Sequence, residues 1–324
     1  MDEQTQFSTN DLRISVVMPC FNAQPFVEQA VRSALGQDYG NVELIVVDDG
    51  SIDGSRETLA RLSTEFAGRM LVLHQDRQGP YPARNLALRN ACGAWVAFLD
   101  ADDYWARDCL SKLQRTLQLA QADVAYCGWQ NVGEGGPGKE PYLPPQYEAE
   151  DAVALFLKGC PWPIHAALVR RSLVQQIGGF STRMFTSMDY DFWLRTLVIT
   201  RRLVRVPEVL AFYRWHDKGQ ISSVKWRQAL ASWQVKRDFV SSHADLIAHL
   251  SPDRVRELVD GSLLQAAYTA YWKRDLISAQ HLFRKVMLRG YWRLGEAKYV
   301  LPSLLPAGIY RRLIGFADRR EEAR

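Results

Sequence analysis

Val96-Ala97-Phe98-Leu99-Asp100-Ala101-Asp102-Asp103 carries an apolar run straight into three carboxylates within four positions. The run has the length and composition of a strand, with Gly93 before it and polar residues after it. Acids at the C-terminal end of a strand sit where open α/β sheets take their ligands. Asp100 and Asp102 are two apart, so in extended backbone they share a face, and a turn would bring Asp103 in as well. Three acids this close repel one another unless a cation intervenes. A hard divalent ion such as Mg²⁺ or Mn²⁺, itself holding a diphosphate, meets that need. The same residues also read as a solvated turn whose Asp caps the next helix. On this stretch alone both readings stand.

Working outward, residues 14–18 read as a buried strand stopped by Pro19, and residues 23–35 show helical spacing of Phe26, Val27, Ala30, Val31, Ala34 and Leu35. Residues 42–47 form a second strand that ends in Asp48-Asp49-Gly50-Ser51, followed by a helix over 53–62 and a third strand over 70–74. A helix over 81–92 carries Arg84 and Asn85 into the fourth strand, 94–99. This rhythm of strand and helix predicts βαβ units: an α/β, Rossmann-like fold with a mostly parallel central sheet flanked by helices.

After residue 104 the pattern loosens. Helices are expected over 108–119, 151–157, 172–177 and 188–199. Short strands are expected over 124–129 and 164–169, with strand material over 203–213 broken by Pro207. Gly and Pro crowd residues 133–145, which read as a loop. From residue 222 onward the chain is expected to be all helical. The expected organisation is a polar tail over 1–12, a sheet domain over 13–221 and a helical extension over 222–324.

The 324 residues are 47% hydrophobic and 23% charged, with a net charge of +4, which is ordinary for a globular protein and gives no footprint for nucleic acid. No run of 18 apolar residues occurs, and Met1 to Asp11 do not resemble a secretory signal. The five cysteines are scattered without a CxxC pair, so a reducing cytoplasm is expected rather than a zinc or disulfide framework. From His281 onward there are 10 Lys/Arg against 4 Asp/Glu, interleaved with Trp292, Tyr299, Leu301, Leu304, Tyr310, Leu313 and Phe316. Such an end reads as a helix lying on an anionic inner-membrane surface, or as one packed on its own domain with a solvated basic face.

Both acid clusters follow predicted strands. In a parallel sheet Asp48 and Asp49 would share one rim with Asp100, Asp102 and Asp103, which suggests a nucleotide site with a metal. No Gly-rich dinucleotide or P-loop fingerprint is present, so phosphates would be held by metal and by cations such as Arg84. Among candidates on the acceptor side, Tyr104 and Trp162 could shape a sugar pocket, though core packing explains both equally well.

Taken together, Ser15-Val16-Val17-Met18-Pro19-Cys20-Phe21-Asn22, Val46-Val47-Asp48-Asp49-Gly50-Ser51-Ile52-Asp53-Gly54-Ser55, Ala83-Arg84-Asn85 and Phe98-Leu99-Asp100-Ala101-Asp102-Asp103 resemble family 2 glycosyltransferases, inverting enzymes of GT-A fold. The resemblance covers roughly residues 13 to 216. It implies a nucleotide-sugar donor, UDP-linked in first place, bound by Pro19, Phe21, Asp48, Asp49, Arg84, Asp100 and Ala101. It implies Mn²⁺ or Mg²⁺ on an Asp-x-Asp motif, with Asp102, Asp100 and His216 as metal ligands. Residues 13–103 become the donor half and 104–221 the acceptor half, with Asp103, Tyr104 and Trp162 toward a glycan or lipid-linked saccharide acceptor.

Downstream, Asp189-Tyr190-Asp191-Phe192-Trp193-Leu194-Arg195 is similar to the family's catalytic helix start, which makes Asp189 the general base and Asp191 the fallback. Met188 stands where the family has Glu. A helix N-terminus would favour the ionised form of Asp189. Tyr213-Arg214-Trp215-His216, with Ser222 shortly after, resembles a Tyr-Arg-x-His element whose His can complete the metal shell or touch the diphosphate. The implied activity is sugar transfer in bacterial surface polysaccharide synthesis, at the cytoplasmic side of the membrane. Two alternatives are a non-catalytic nucleotide or glycan binding module, favoured only by Met188, and a sugar nucleotidyltransferase. The latter would want a basic residue in the first loop, where Pro19 to Gln24 offer none.

Overall fold

The computed structural model describes residues 12–134, 138–216 and 224–322. The polar tail through Asp11, Ser222 and the expected boundary at 221/222 lie outside the described residues, as does the Phe316 side chain. The chain divides into two units, Met1–Leu155 with Cys160–Gln220, and Phe156–Gly159 with Ile221–Arg324.

In the first unit, β1 (Ile14–Cys20), β2 (Val42–Asp49), β3 (Met70–Gln75) and β4 (Trp95–Phe98) alternate with α1 (Val27–Leu35), α2 (Ser55–Glu65) and α3 (Pro80–Asn90). Then follow β5 (Tyr104–Trp105), α4 (Cys109–Leu119), β6 (Val124–Gly133), α5 (Ala152–Lys158, which from Phe156 on belongs to the second unit), β7 (Ala167–Arg170), α6 (Arg171–Gln176), α7 (Met188–Ile199) and β8 (Leu203–Trp215). Runs such as Val16-Val17-Met18 and Leu44-Ile45-Val46-Val47 are apolar on both faces and fully buried, as strands covered on both sides must be. The helices cover them with one stripe each: α1 buries Val27, Ala30, Val31, Ala34 and Leu35 at helical spacing.

The eight strands form one sheet in the order β3-β2-β1-β4-β7-β6-β8-β5. β1 to β4 are parallel, while β7 is antiparallel to both β4 and β6, and β5 is antiparallel to β8. The sheet is therefore mixed in its second half. Chain order reverses at β1, with β2 and β3 on one side and β4 on the other, which opens a crevice at their C-terminal ends.

Two local expectations are corrected, and one short strand lies beyond them. Pro207 does not break β8; it falls in a bulge, where the register jumps from Cys127↔Val206 to Gly128↔Val209 and no ladder N–H is required of it. The strand expected over 164–169 begins as a 3₁₀ turn over Ile164–Ala166. Two-residue β5 carries too little pattern to be read from sequence and exists through its partner β8.

The second unit is helical: α8 (Lys225–Ser242), α9 (Pro252–Arg256), α10 (Ser262–Trp272), α11 (Leu276–Arg289), α12 (Ala297–Val300) and α13 (Ala307–Glu322). A π-helical turn, Glu257–Gly261, joins α9 to α10. Its core gathers Trp233, Leu263, Ala267, Leu282, Phe283, Val286, Val300, Tyr310 and Ile314. Among the described residues, no helix is long and apolar enough to cross a membrane.

Lys236 is buried in this unit and donates to the carbonyls of Lys158 at 3.0 Å and Leu258 at 3.2 Å. Burial pushes its ammonium down to about 8. A neutral amine has two hydrogens for those two carbonyls, so deprotonation keeps both bonds and removes the buried charge. An unfolded lysine titrates near 10.4, so between about pH 8 and pH 10 the unfolded chain binds more protons than the folded one. Stability is therefore expected to rise with pH across that window, and Lys236→Met should flatten the rise in urea unfolding. Superimposable pH profiles for the two proteins would dismiss the buried charge.

Candidate functional site

The parallel register places Cys20 beside Asp48, Asp48 beside His74, and Val17 beside Phe98. The loops after β1, β2 and β4 therefore line one rim, and both acid clusters share it. Gly50 takes φ +76 to turn the chain after β2, a conformation that a side chain would strain.

Asp48 is fully buried and accepts from the Ser51 N–H at 3.0 Å and Arg56 Nε at 2.6 Å, with His74 Nδ1 at 3.3 Å. Burial alone would raise its carboxyl; the hydrogen bonds of Ser51, Arg56 and His74 outweigh it and hold the group low. Asp49 accepts from Gln75 Nε2 and from the Gln78 and Gly79 N–H groups, at 2.7 to 2.8 Å. It thus fixes the loop that leads into α3. Pro19 is buried at the end of β1. Phe21 is half-buried under the guanidinium of Arg77, 3.7 Å from the ring centroid. Arg56 and Arg77 put cations on this side, with His74 near Asp48, and the motifs single out none of the three. No spacing signal marks Arg77, whose role depends on the fold of its loop.

Arg84, 4% exposed, projects from α3 onto the Asp100 carboxylate and lies over the rings of Tyr81 and Phe180, at 5.5 and 5.4 Å. Its Nε is buried without a hydrogen-bond partner among the described residues. Opposed influences act on it: burial lowers its affinity for a proton, but Asp100, Tyr81 and Asp189 raise it further, so the charge is secure. Next to it, Asn85 closes a two-way bond with Phe180, donating to its carbonyl and accepting its N–H, both at 2.8 Å.

Asp102 and His216 meet at 3.0 Å, both partly exposed, with Phe26 stacked on the imidazole at 5.3 Å. Of the expected metal set Asp102, Asp100 and His216, the structure joins the first and last, while Asp100 is engaged by Arg84. Among the described residues no group of three His, Cys, Asp or Glu gathers as a metal site. A carboxylate with an imidazole fits an ion that takes its remaining ligands from phosphate oxygens and water. Ala101 is buried between the two acids.

Asp103 is corrected. It turns away from solvent, 2% exposed, with one oxygen accepting the Arg214 N–H at 2.7 Å and the other 3.1 Å from His165 Nδ1 without forming a hydrogen bond, and so presents nothing to an acceptor. Burial, then the charges of Asp102 and Asp100, push its carboxyl well up, while burial lowers His165 to about 4. Arg214, missed as a site residue although its motif was noticed, donates to the Asp102 carbonyl at 2.8 Å and to Gln29 at 2.6 Å. Tyr104 stacks on Phe212 at 4.7 Å and remains half-exposed. Trp162 is also corrected: at 1% exposed it stacks on Tyr126 at 4.3 Å and abuts Trp193, so it offers no face to a sugar.

Asp189 stands in the first turn of α7, half-buried. Burial lifts its carboxyl above the ordinary range, with Arg84 and the Tyr190 N–H pulling the other way. Desolvation thus outweighs the helix terminus that was expected to favour the ionised form. Asp191 is engaged twice, by Arg183 at 2.9 Å and Arg195 at 2.7 Å, and is 8% exposed, which removes it as a free base. Arg195 reaches on to the carbonyls of Ile177 and Gly179.

A buried cation with an unsatisfied N–H, a paired carboxylate and imidazole, and a half-buried carboxylate of raised proton affinity can bind an anion and accept a proton beside it. Glycosyl transferase family 2 is matched over residues 15–178. A putative teichuronic acid biosynthesis glycosyltransferase of Bacillus subtilis, TuaG, is 31% identical over 71% of this chain and 89% of its own. WfgD of Escherichia coli, a UDP-Glc:α-D-GlcNAc-diphosphoundecaprenol β-1,3-glucosyltransferase, is 28% identical over 74% of this chain and 92% of its own. The crystal structure of S. aureus TarS 1–349 with UDP-GlcNAc superposes with a TM-score of 0.63 at 16% identity, covering 95% of this chain and 92% of that one, and shows the same GT-A fold. The chain belongs to glycosyltransferase family 2.

Gly179 has φ +71, and a Cβ there would stand 2.7 Å from Asn85 Oδ1. Gly179→Ala is therefore expected to disrupt the Asn85–Phe180 pair and destabilise the fold by about 1–3 kcal/mol in urea unfolding. An unchanged midpoint would mean the pair is not the fixed point described.

Proposed function

We propose that this chain moves a sugar from a nucleoside-diphosphate sugar, a UDP-sugar in first place, to a hydroxyl of a glycan or lipid-linked saccharide, with inversion, in bacterial surface polysaccharide synthesis. The observation that carries this reading is the convergence of Asp100 and Asp189 on buried Arg84, beside the Asp102–His216 pair. The relatives named for teichuronic acid biosynthesis and for a diphosphoundecaprenol-linked acceptor support the acceptor class.

In this reading the acceptor hydroxyl loses its proton to the Asp189 carboxylate as its oxygen bonds to the anomeric carbon. The bond from that carbon to the diphosphate oxygen breaks in line, and the electron pair leaves with the nucleoside diphosphate. Arg84 offers its unpaired Nε–H and its charge to the diphosphate as negative charge grows there. Asp102 and His216 would hold Mn²⁺ or Mg²⁺, which supplies further charge neutralisation to the leaving group. Phe21 and Asp48 would face the base. A lipid-linked acceptor is met at a bilayer, which sets the reaction at the inner face of the cytoplasmic membrane.

Asp189→Asn is expected to keep nucleotide binding and to lose turnover by roughly 10²- to 10⁴-fold. Because the base must be ionised, wild-type kcat/KM should fall as pH drops through a pKa above the usual carboxylate range. Retained turnover in the Asn variant would remove Asp189 from the reaction. Thermal-shift measurements with UDP, GDP and dTDP test the donor, with and without Mn²⁺. The largest shift is expected for UDP with Mn²⁺, and Asp102→Ala should abolish the metal-dependent part. A larger shift with GDP would reassign the base.

A further inference from the structure

The helical unit exposes apolar side chains that its own core does not use. Residues Leu294 to Leu304 run as one helical stretch, a 3₁₀ turn, α12 and a second 3₁₀ turn. Its inner side is complete: Val300 and Ser303 are fully buried. On the outer side Leu294 is 89% exposed, Leu301 49% and Leu304 52%, with exposed Lys298 between them. These positions fall at i, i+4, i+7 and i+10, on one stripe. α13 repeats the arrangement. Tyr310 and Ile314 point inward, while Ile309 and Leu313, also four apart, are 54% and 43% exposed beside exposed Arg311 and Arg312.

Hydrophobic residues face outward here twice in succession, each time beside cations. Between Arg289 and Ile314 there are five Lys or Arg and one acid, Glu296. That acid is itself occupied, accepting the Arg293 N–H at 2.6 Å. A leucine stripe flanked by cations with no free acid matches an anionic bilayer: leucines enter the acyl boundary and cations remain among the headgroups. Protein interfaces, by contrast, are depleted in lysine at their centre. Without a membrane-crossing helix among the described residues, the unit would lie on the surface rather than span it.

We propose that the outer face of Leu294–Leu304 and of the first turns of α13 is a docking surface for anionic lipid, with Leu294, Leu301, Leu304, Ile309 and Leu313 as inserted residues and Lys298, Arg311 and Arg312 as headgroup contacts. The link to catalysis rests on the lipid-linked acceptor reading; the binding itself does not.

The test is co-sedimentation of the full chain with vesicles of phosphatidylglycerol and phosphatidylcholine, against vesicles of phosphatidylcholine alone. Binding is expected only to the anionic vesicles and should weaken with salt. Lys298→Gln/Arg311→Gln/Arg312→Gln should bind about a hundredfold more weakly. Leu294→Ser/Leu301→Ser should lose binding too while keeping the wild-type melting temperature and UDP-induced thermal shift. Vesicle binding unchanged in both variants overturns the proposal. So does a wild-type chain that ignores anionic vesicles and instead forms dimers that the leucine variant abolishes. Intact vesicle binding in a chain that transfers sugar only to soluble acceptors would overturn the acceptor reading and leave this surface standing.

Discussion

A guanidinium buried without a counter-charge is not tolerated, and Arg84 organises the first unit for that reason. Neutralising it takes Asp100 from the end of β4, the negative end of the Asp189 side chain from α7, and the π faces of Tyr81 and Phe180. Those groups come from four stretches of chain separated by up to a hundred residues. Each is held in turn: α3 by the Asn85–Phe180 bond, the Gly178-Gly179 turn by Arg195, and Arg195 by Asp191. The cost of leaving Arg84 bare therefore sets the position of Asp189 and Asp100 relative to the guanidinium. In the proposed reaction, the spacing of base and anion site would then come from a packing requirement.

Much of this was legible because some residues announce themselves by period and punctuation. Three βαβ steps and the two acid-ended strands could be read directly, since parallel buried strands are apolar throughout and their ends are abrupt. Other features were hidden because one residue type serves two physical ends. Asp103 looks like its neighbours Asp100 and Asp102, yet a turn rotates it inward to cap the Arg214 N–H. Trp162 has the side chain of a sugar platform but faces Tyr126 and Trp193. Asp191 differs from Asp189 only by the two arginines that reach it, one of them from a loop. Arg77 over Phe21 could not be foreseen, because the contact is made by a loop whose course Asp49 determines.

The helical unit was legible as helices and illegible as surface. Tyr310 stands in the sequence among the same basic residues as Leu301, Leu304 and Leu313, yet it is buried with Val300 and Ile314 while those leucines are exposed. Apolar periodicity cannot say which of them find cover, since that depends on neighbours far along the chain. The π-helical turn over Glu257–Gly261 leaves no mark in the sequence pattern, which reads as one helix through residue 273.

The placement of β5 has a consequence in time. This two-residue strand lies at the sheet edge, and its partner β8 ends at Trp215. The residues just before it, Asp102 and Asp103, are fixed by Arg214 and His216, which follow from that same late strand. A ribosome that has made the whole parallel half has therefore not yet made the parts that set its acidic rim. Until residue 216 has emerged, Asp100 has Arg84 to order it, but Asp102 lacks its imidazole partner and Asp103 lacks the Arg214 N–H. Long-range strand pairing of this kind is the slow step of folding. A chain stopped short of residue 216 would hold most of the sheet and lack the Asp102–His216 pair.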